Sequence, residues 1–213
     1  MKALLLGSLE VLTDTSHLWR SASRKAFSDH GIDFAPRAGD APPGRLCQQF
    51  GDCTPVPVAD IIGSRDLRYA DALALGPLRP RPGLARLLDA VQVRGIALGL
   101  ITEAPRDWTI SVFEGLDLDP ERFDAIVTDD FLTSRKPAPD GYHLASAMMG
   151  TAPEDCVSVE TSRAGLRAAR SLGMRAIDAV GPRADPVAAA LAVLPAPRAG
   201  TADAVRPAAL SSR

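Results

Sequence analysis

From residue 80 onward the chain alternates short apolar runs with amphipathic stretches, and no other feature narrows the possible folds as far. RPRPGLARLLDAVQVRG carries Leu84, Leu87, Leu88 and Val91 at i, i+3, i+4 and i+7, with Pro82 placed for a helical first turn and Gly95 for the stop. IALGLIT then reads as a buried strand, APRDWTISVFEGL as a helix, FDAIVT as a strand and PDGYHLASAMMG as a helix. CVSVE, TSRAGLRAARSLG and MRAIDAV continue the series. Strand and helix in strict succession require right-handed crossovers, so the expected fold is α/β: a Rossmann-like parallel sheet with helices on both faces.

The amino end supplies one more strand. In MKALLLGSLEVLTDT the apolar run Ala3 to Leu6 breaks at Gly7 and recovers at Val11 and Leu12, as a first buried strand feeding a loop would. SHLWRSASRKAFSDHG places Leu18, Ala22 and Ala26 at helical spacing, with Phe27 beside them and Gly31 as the stop. From Phe34 to Pro57 proline and glycine dominate, which predicts small helices and loops and breaks the alternation. The middle is therefore expected to be a small α-helical cap inserted after the first strand. The predicted organisation is a core over 1–14 and 80–195, a cap over 15–79, and a loose tail over 196–213, where no period is visible.

Composition excludes several classes of function. The 213 residues, 46% hydrophobic and 23% charged, suffice for one large domain or a core with an insert. A net charge of -2, with the signs interspersed, offers no field for nucleic acid. Cys47, Cys53 and Cys156 form no CxxC pair and have no histidine at metal-ligand spacing, so they read as reduced thiols. No apolar run approaches membrane-span length, and a cytoplasmic protein is expected.

In a sheet of this kind the ligand site lies beyond the carboxyl ends of the strands. Four stretches meet there: GSLEVLTDT, ITEAPRD, SRKPAPD and VETSRAG. Through them the chain resembles the haloacid dehalogenase-like (HAD) superfamily, in the branch of phosphoglycolate phosphatases and β-phosphoglucomutases with a helical cap after the first strand. The resemblance runs up to about residue 185, and RPRPGLARLLDAVQVRGIALGLIT, KPAPDGYHLA and EDCVSVETSRAGLRAARSLGM are especially close to that branch.

The resemblance implies a chemistry that this chain's first loop does not carry. Members use an aspartate that attacks phosphorus and a second one, two residues on, that moves protons to and from the leaving and entering groups. Those positions read Gly7 and Leu9, and neither side chain can do either task. Glu10 follows where the family has glycine, and is the substitute acidic candidate; Asp14 and Thr15 keep the family's DT. Mg²⁺ in the family is held partly by acids of a stretch resembling EDS, which here reads Glu160, Thr161, Ser162, leaving Glu160 as the metal candidate. Mg²⁺ is expected only if activity is retained, and otherwise no cofactor.

Thr102 and Lys136 stand where the family binds the phosphoryl group, and both residue types suit phosphate. Glu103, next to Thr102, would oppose an anion at about 4 Å by about 4 kcal/mol at an effective dielectric near 20 if it faced inward. Structural roles compete at each position: Thr102 can end a strand, and Lys136 can pair with Glu103 or Glu160. Gly44 and Arg45 resemble the cap's substrate loop, with Arg45 equally suited to a solvated turn. Trp19 is expected to pack cap on core, Trp108, Met148 and Met149 fall at core spacings, and His17, His30 and His143 have no nucleophile beside them.

Three readings follow. The best supported is a noncatalytic relative that binds a small phosphorylated metabolite or a protein partner. The alternative is a Mg²⁺-dependent hydrolase of small phosphomonoesters using displaced carboxylates such as Glu10. The third is an oligomeric scaffold. None of them involves nucleic acid or membrane.

Overall fold

The computed structural model describes residues 1–33, 56–181 and 183–196. Arg45, Cys47, Cys53 and nearly all of the expected tail lie outside the described residues. Five strands, β1 (Ala3–Leu6), β2 (Ala97–Ile101), β3 (Ala125–Val127), β4 (Cys156–Glu160) and β5 (Arg175–Asp178), form one sheet of order β3-β2-β1-β4-β5. Every pairing is parallel, with Leu6 level with Leu100 and Val159. The α/β expectation holds.

Helices α1 (Ser16–Ser28), α2 (Val58–Leu75), α3 (Leu84–Val93), α4 (Arg106–Gly115), α5 (Asp140–Met148), α6 (Arg163–Ser171) and α7 (Pro186–Val193) connect and cover the strands. β1 is buried along its whole length, so its period of two sorts its side chains between two cores. Leu4 and Leu6 join the stripe Leu84, Leu87, Leu88 and Val91 of α3 together with Val187 of α7. Ala3 and Leu5 face Tyr142 and Ala145 of α5 and Ala168 and Ala169 of α6. Among the described residues no helix is long and apolar enough to cross a membrane.

Pro82 and Met148 differ from the sequence expectation, and one helix is absent from it. Pro82 lies in the turn ahead of α3, whose first helical residue is Leu84; Gly83, at φ 81°, adopts a left-handed conformation that favours glycine. The small helices and loops expected from Phe34 to Pro57 fall almost wholly outside the described residues, and after Pro57, where the sequence predicts no separate element, the chain forms a single 18-residue helix, α2. Its buried stripe runs Val58, Ile61, Arg65, Tyr69 and Leu73, so an arginine and a tyrosine occupy positions that a search for apolar period skips. Met148 is 54% exposed at the end of α5, not in the core.

α1 and α2 pack on each other around Ala26, Phe27 and Ile61. Trp19 of α1 is half-buried against the sheet-side core, and the Arg65 guanidinium lies 5.5 Å from its ring centroid. Two chain crossings join this pair to the sheet, and they are tied together: Thr13 bridges Pro80, Thr13 Oγ1 donates to the Arg79 carbonyl at 2.8 Å, and Arg81 N donates to the Leu12 carbonyl at 2.8 Å.

Candidate functional site

β1 has β2 on one side and β4 on the other: the chain runs outward from β1 through β2 to β3, then crosses back over β1 to β4 and runs outward again to β5. This reversal of strand order opens the crevice in which such sheets bind ligands. Gly7, Thr102 and Thr161 follow the ends of β1, β2 and β4 there.

Gly7 continues the ladder, its N–H donating to the Val159 carbonyl at 2.9 Å. A side chain at this position has no room. A Cβ built on Gly7 overlaps Oε2, Cδ and Oε1 of Glu160, so the last residue of β4 fills the space that a residue at the end of β1 would otherwise fill. The same carboxylate reaches the start of α6, where a Cβ on Gly165 would overlap its Oε2 and lie 3.0 Å from both its Cδ and the Tyr142 hydroxyl. Glu160 fits because two glycines leave the space open.

Glu160 is fully buried. No hydrogen bond of good geometry holds either of its oxygens among the described residues, and the buried hydroxyls of Tyr142 and Ser158 lie close enough to lower its pKa. Burial pushes the Glu160 carboxyl above the usual range, against the smaller downward pull of the Lys136 charge. Burial first, and then the Glu160 charge, push the Tyr142 phenol up as well.

Lys136 belongs to this cluster, although not as a side-chain ion pair. Its ammonium donates to the Gly7 carbonyl and, at 3.4 Å, to the Ile101 carbonyl, and lies 5.2 Å from the Tyr142 ring centroid. Desolvation lowers its pKa, while Glu160 and then Glu103 act in the opposite direction. The Glu103 carboxylate accepts the Lys136 backbone N–H and so ties β2's loop to the lysine loop. Thr102 is buried, and its Oγ1 accepts the Ala104 N–H at 3.0 Å, as in a turn. The fold thus gathers Gly7, Thr102, Lys136 and Glu160 at one place.

Leu9 and Glu10 point elsewhere. Leu9 is buried in the main core. The Glu10 carboxylate lies 3.4 Å from Thr15 Oγ1 and 3.8 Å from an Arg81 guanidinium nitrogen, on the side of the chain crossings. Its pKa is raised, by desolvation first and then by Asp14, against Arg81, Thr15 and Arg20. Ser8 Oγ and Thr161 Oγ1 lie 2.8 Å apart and close the crevice between β1 and β4.

The donor set does not suit Mg²⁺. Among the described residues no three acidic, histidine or cysteine side chains gather to hold a metal. Of the two carboxylates near Lys136 among the described residues, Glu160 fills the space beside Gly7 near the ammonium, and Glu103 is spent on the Lys136 backbone N–H. Periodicity did not single out Tyr142 and Gly165 for the site, because a tyrosine in a helix reads as core and a glycine in a helix as a defect. The usable signal was Gly165 five residues after an acid that ends a strand.

The family model of haloacid dehalogenase-like hydrolases matches residues 10–173, beginning just after Gly7 and Leu9. Protein CbbY of Cereibacter sphaeroides is 31% identical over 191 residues, covering 83% of each chain. The phosphoglycolate phosphatase of Escherichia coli is 34% identical over 92 residues, 43% of this chain and 36% of that protein. Among solved structures, CbbY from Rhodobacter sphaeroides in complex with phosphate superposes with a TM-score of 0.72 at 28% identity, covering 85% of this chain and 87% of the other. A β-phosphoglucomutase from Clostridium difficile, at 21% identity and a TM-score of 0.66 over 83% of each chain, shares the fold.

Proposed function

The chain belongs to the haloacid dehalogenase-like hydrolase family, and we propose that it is a noncatalytic member whose retained role is to bind a small phosphorylated metabolite or a protein partner. The observation that carries this reading is the Glu160 carboxylate in the space where a nucleophile's side chain would project from Gly7. A nucleophile there would have to expel a fully buried group. Leu9, in the position of the proton-transferring aspartate, is part of the core and has no group to exchange. Loss of a nucleophile typically costs on the order of 10⁶ in rate, and here the proton carrier is absent too.

The ligand class rests on the relatives. CbbY has been crystallised with phosphate and with xylulose-1,5-bisphosphate, which points to a sugar phosphate or a ligand of similar size. Residues 15–79 keep the role of a cap in this reading, and the protein is placed in the cytoplasm.

A second reading is a phosphomonoester hydrolase that uses Glu10. Its support is a first-loop carboxyl whose pKa is raised by burial, as a proton donor's would be. One assay separates the two: turnover of a broad phosphomonoester panel with Mg²⁺, beside purified Lys136→Ala and Glu10→Gln proteins checked for folding by circular dichroism. The noncatalytic reading expects no turnover above that of the variants. Wild-type turnover that both substitutions abolish would replace it with the second reading.

A further inference from the structure

We propose that the cleft between the two chain crossings, outside the crevice of the sheet, is a binding site for a phosphate or diphosphate group carried by a small metabolite. The cleft encloses about 530 Å³, within the range that small ligands occupy. Arg20 of α1, Arg79 and Arg81 of the second crossing, and His17 line it, with Leu78 supplying an apolar wall.

The charges there are unevenly spent. Among the described residues Asp14 is the one acid in the lining, and its Oδ1 already accepts the backbone N–H and the hydroxyl of Ser16. Arg81 uses its Nε on the Glu10 carbonyl and one terminal nitrogen on the Glu10 carboxylate. Arg20 and Arg79 have no carboxylate partner within 4 Å among the described residues. Two guanidinium groups on separate elements, neither in direct contact with a carboxylate among the described residues, line one cleft and suit a phosphate, whose oxygens take several charge-assisted hydrogen bonds at once; the Glu10 charge acts on Arg20 only from a distance. The first turn of α1 opens into the same cleft through Ser16 and His17, and its dipole favours an anion there.

The walls are also set in advance. Pro77, Pro80 and Pro82 stiffen one wall, and the bonds from Thr13 to Arg79 and from Arg81 to Leu12 hold the walls together. Little ordering cost is left for the ligand to meet. The proposal does not rest on the loss of turnover, because a catalytic chain would bind an anion in this cleft equally well.

The test uses pyrophosphate and inorganic phosphate as probes in isothermal titration calorimetry of the whole chain. The Arg20→Gln/Arg79→Gln protein should bind pyrophosphate at least about tenfold more weakly than wild type. The control Arg24→Gln/Arg86→Gln, which removes the same charge at exposed sites outside the cleft, should stay within about twofold. Hydrogen exchange of the wild-type protein provides a readout that needs no variant: pyrophosphate should slow amides in 12–20 and 76–83. Equal weakening in both double variants, protection confined to 101–104 and 136–138, or no saturable binding would each overturn the proposal.

Discussion

At Gly7 the smallest change is the most informative one. Gly7→Ala adds a single methyl group, and that group overlaps the Glu160 carboxylate. We expect a loss of about 1–3 kcal/mol in urea unfolding, the usual range for overpacking. Combined with Glu160→Ala, which vacates the space, Gly7→Ala should cost at least about 1 kcal/mol less than it does alone. Additive losses would mean that the two residues do not share that volume. The same overlap predicts that Gly7→Asp restores no phosphatase turnover. Cys156 allows a second residue-scale test. It is buried, and desolvation raises its thiol to about 11, so almost no thiolate exists at neutral pH. Iodoacetamide at pH 7.5, followed by peptide mass mapping, should leave Cys156 unmodified in the native protein and alkylate it in urea. That Gly7 and Leu9 carry no carboxylate was legible in the sequence because it follows from identity alone. The position of the Glu160 carboxylate was not, since it depends on two glycines 158 residues apart, one at the end of β1 and one in the first turn of α6, both flanking the end of β4.

At the scale of an element, α6 is a case in which helix propensity and packing disagree in sign. Gly165 sits in its first turn, where alanine would normally stabilise a helix by up to about 1 kcal/mol. A Cβ there overlaps Glu160 Oε2 and crowds the Tyr142 hydroxyl, and both neighbours are fully buried. Gly165→Ala should therefore destabilise, by about 1–3 kcal/mol in thermal or urea unfolding. A stabilised Gly165→Ala protein would show that Glu160 can move aside at little cost. Ser162 Oγ caps the same helix by accepting the Gly165 N–H at 3.0 Å, so Ser162→Ala should cost about 1 kcal/mol by the same measurement. The elements from α3 to β5 were legible because each carries its own period and its own stop, such as Gly95 at φ 61°. α2 was not legible as one helix. Its buried face alternates apolar residues with Arg65 and Tyr69, whose polar ends find partners that no apolar period reveals: the Arg65 guanidinium donates to the adjacent Asp66 carboxylate and lies over the Trp19 ring, and the Tyr69 hydroxyl lies 2.7 Å from Thr15 Oγ1.

For the molecule as a whole, the question is whether the helix pair α1–α2 and the sheet form one cooperative unit. The sheet side holds the large core, from Leu4 on β1 to Ala190 on α7. The helix pair has its own small cluster of Ala26, Phe27 and Ile61, and reaches the sheet side through Ala22, Trp19, Tyr69 and Leu73. Tyr69 meets Trp108 of α4 edge to face, with ring centroids 4.9 Å apart. Opening between the pair and the sheet would expose these few side chains and leave the two-sided packing of β1 intact, so its free energy should lie well below that of global unfolding. Native-state hydrogen exchange in low urea tests this directly. Amides in α1 and α2 should exchange through a shared opening with a small urea dependence, while those of β1, β2 and β4 should exchange only with the full unfolding slope. Were all the helical and strand amides to converge on one free energy and one slope, residues 15–79 could not be treated as a separately moving cap. Access to the crevice would then depend on loop motion at the ends of the strands.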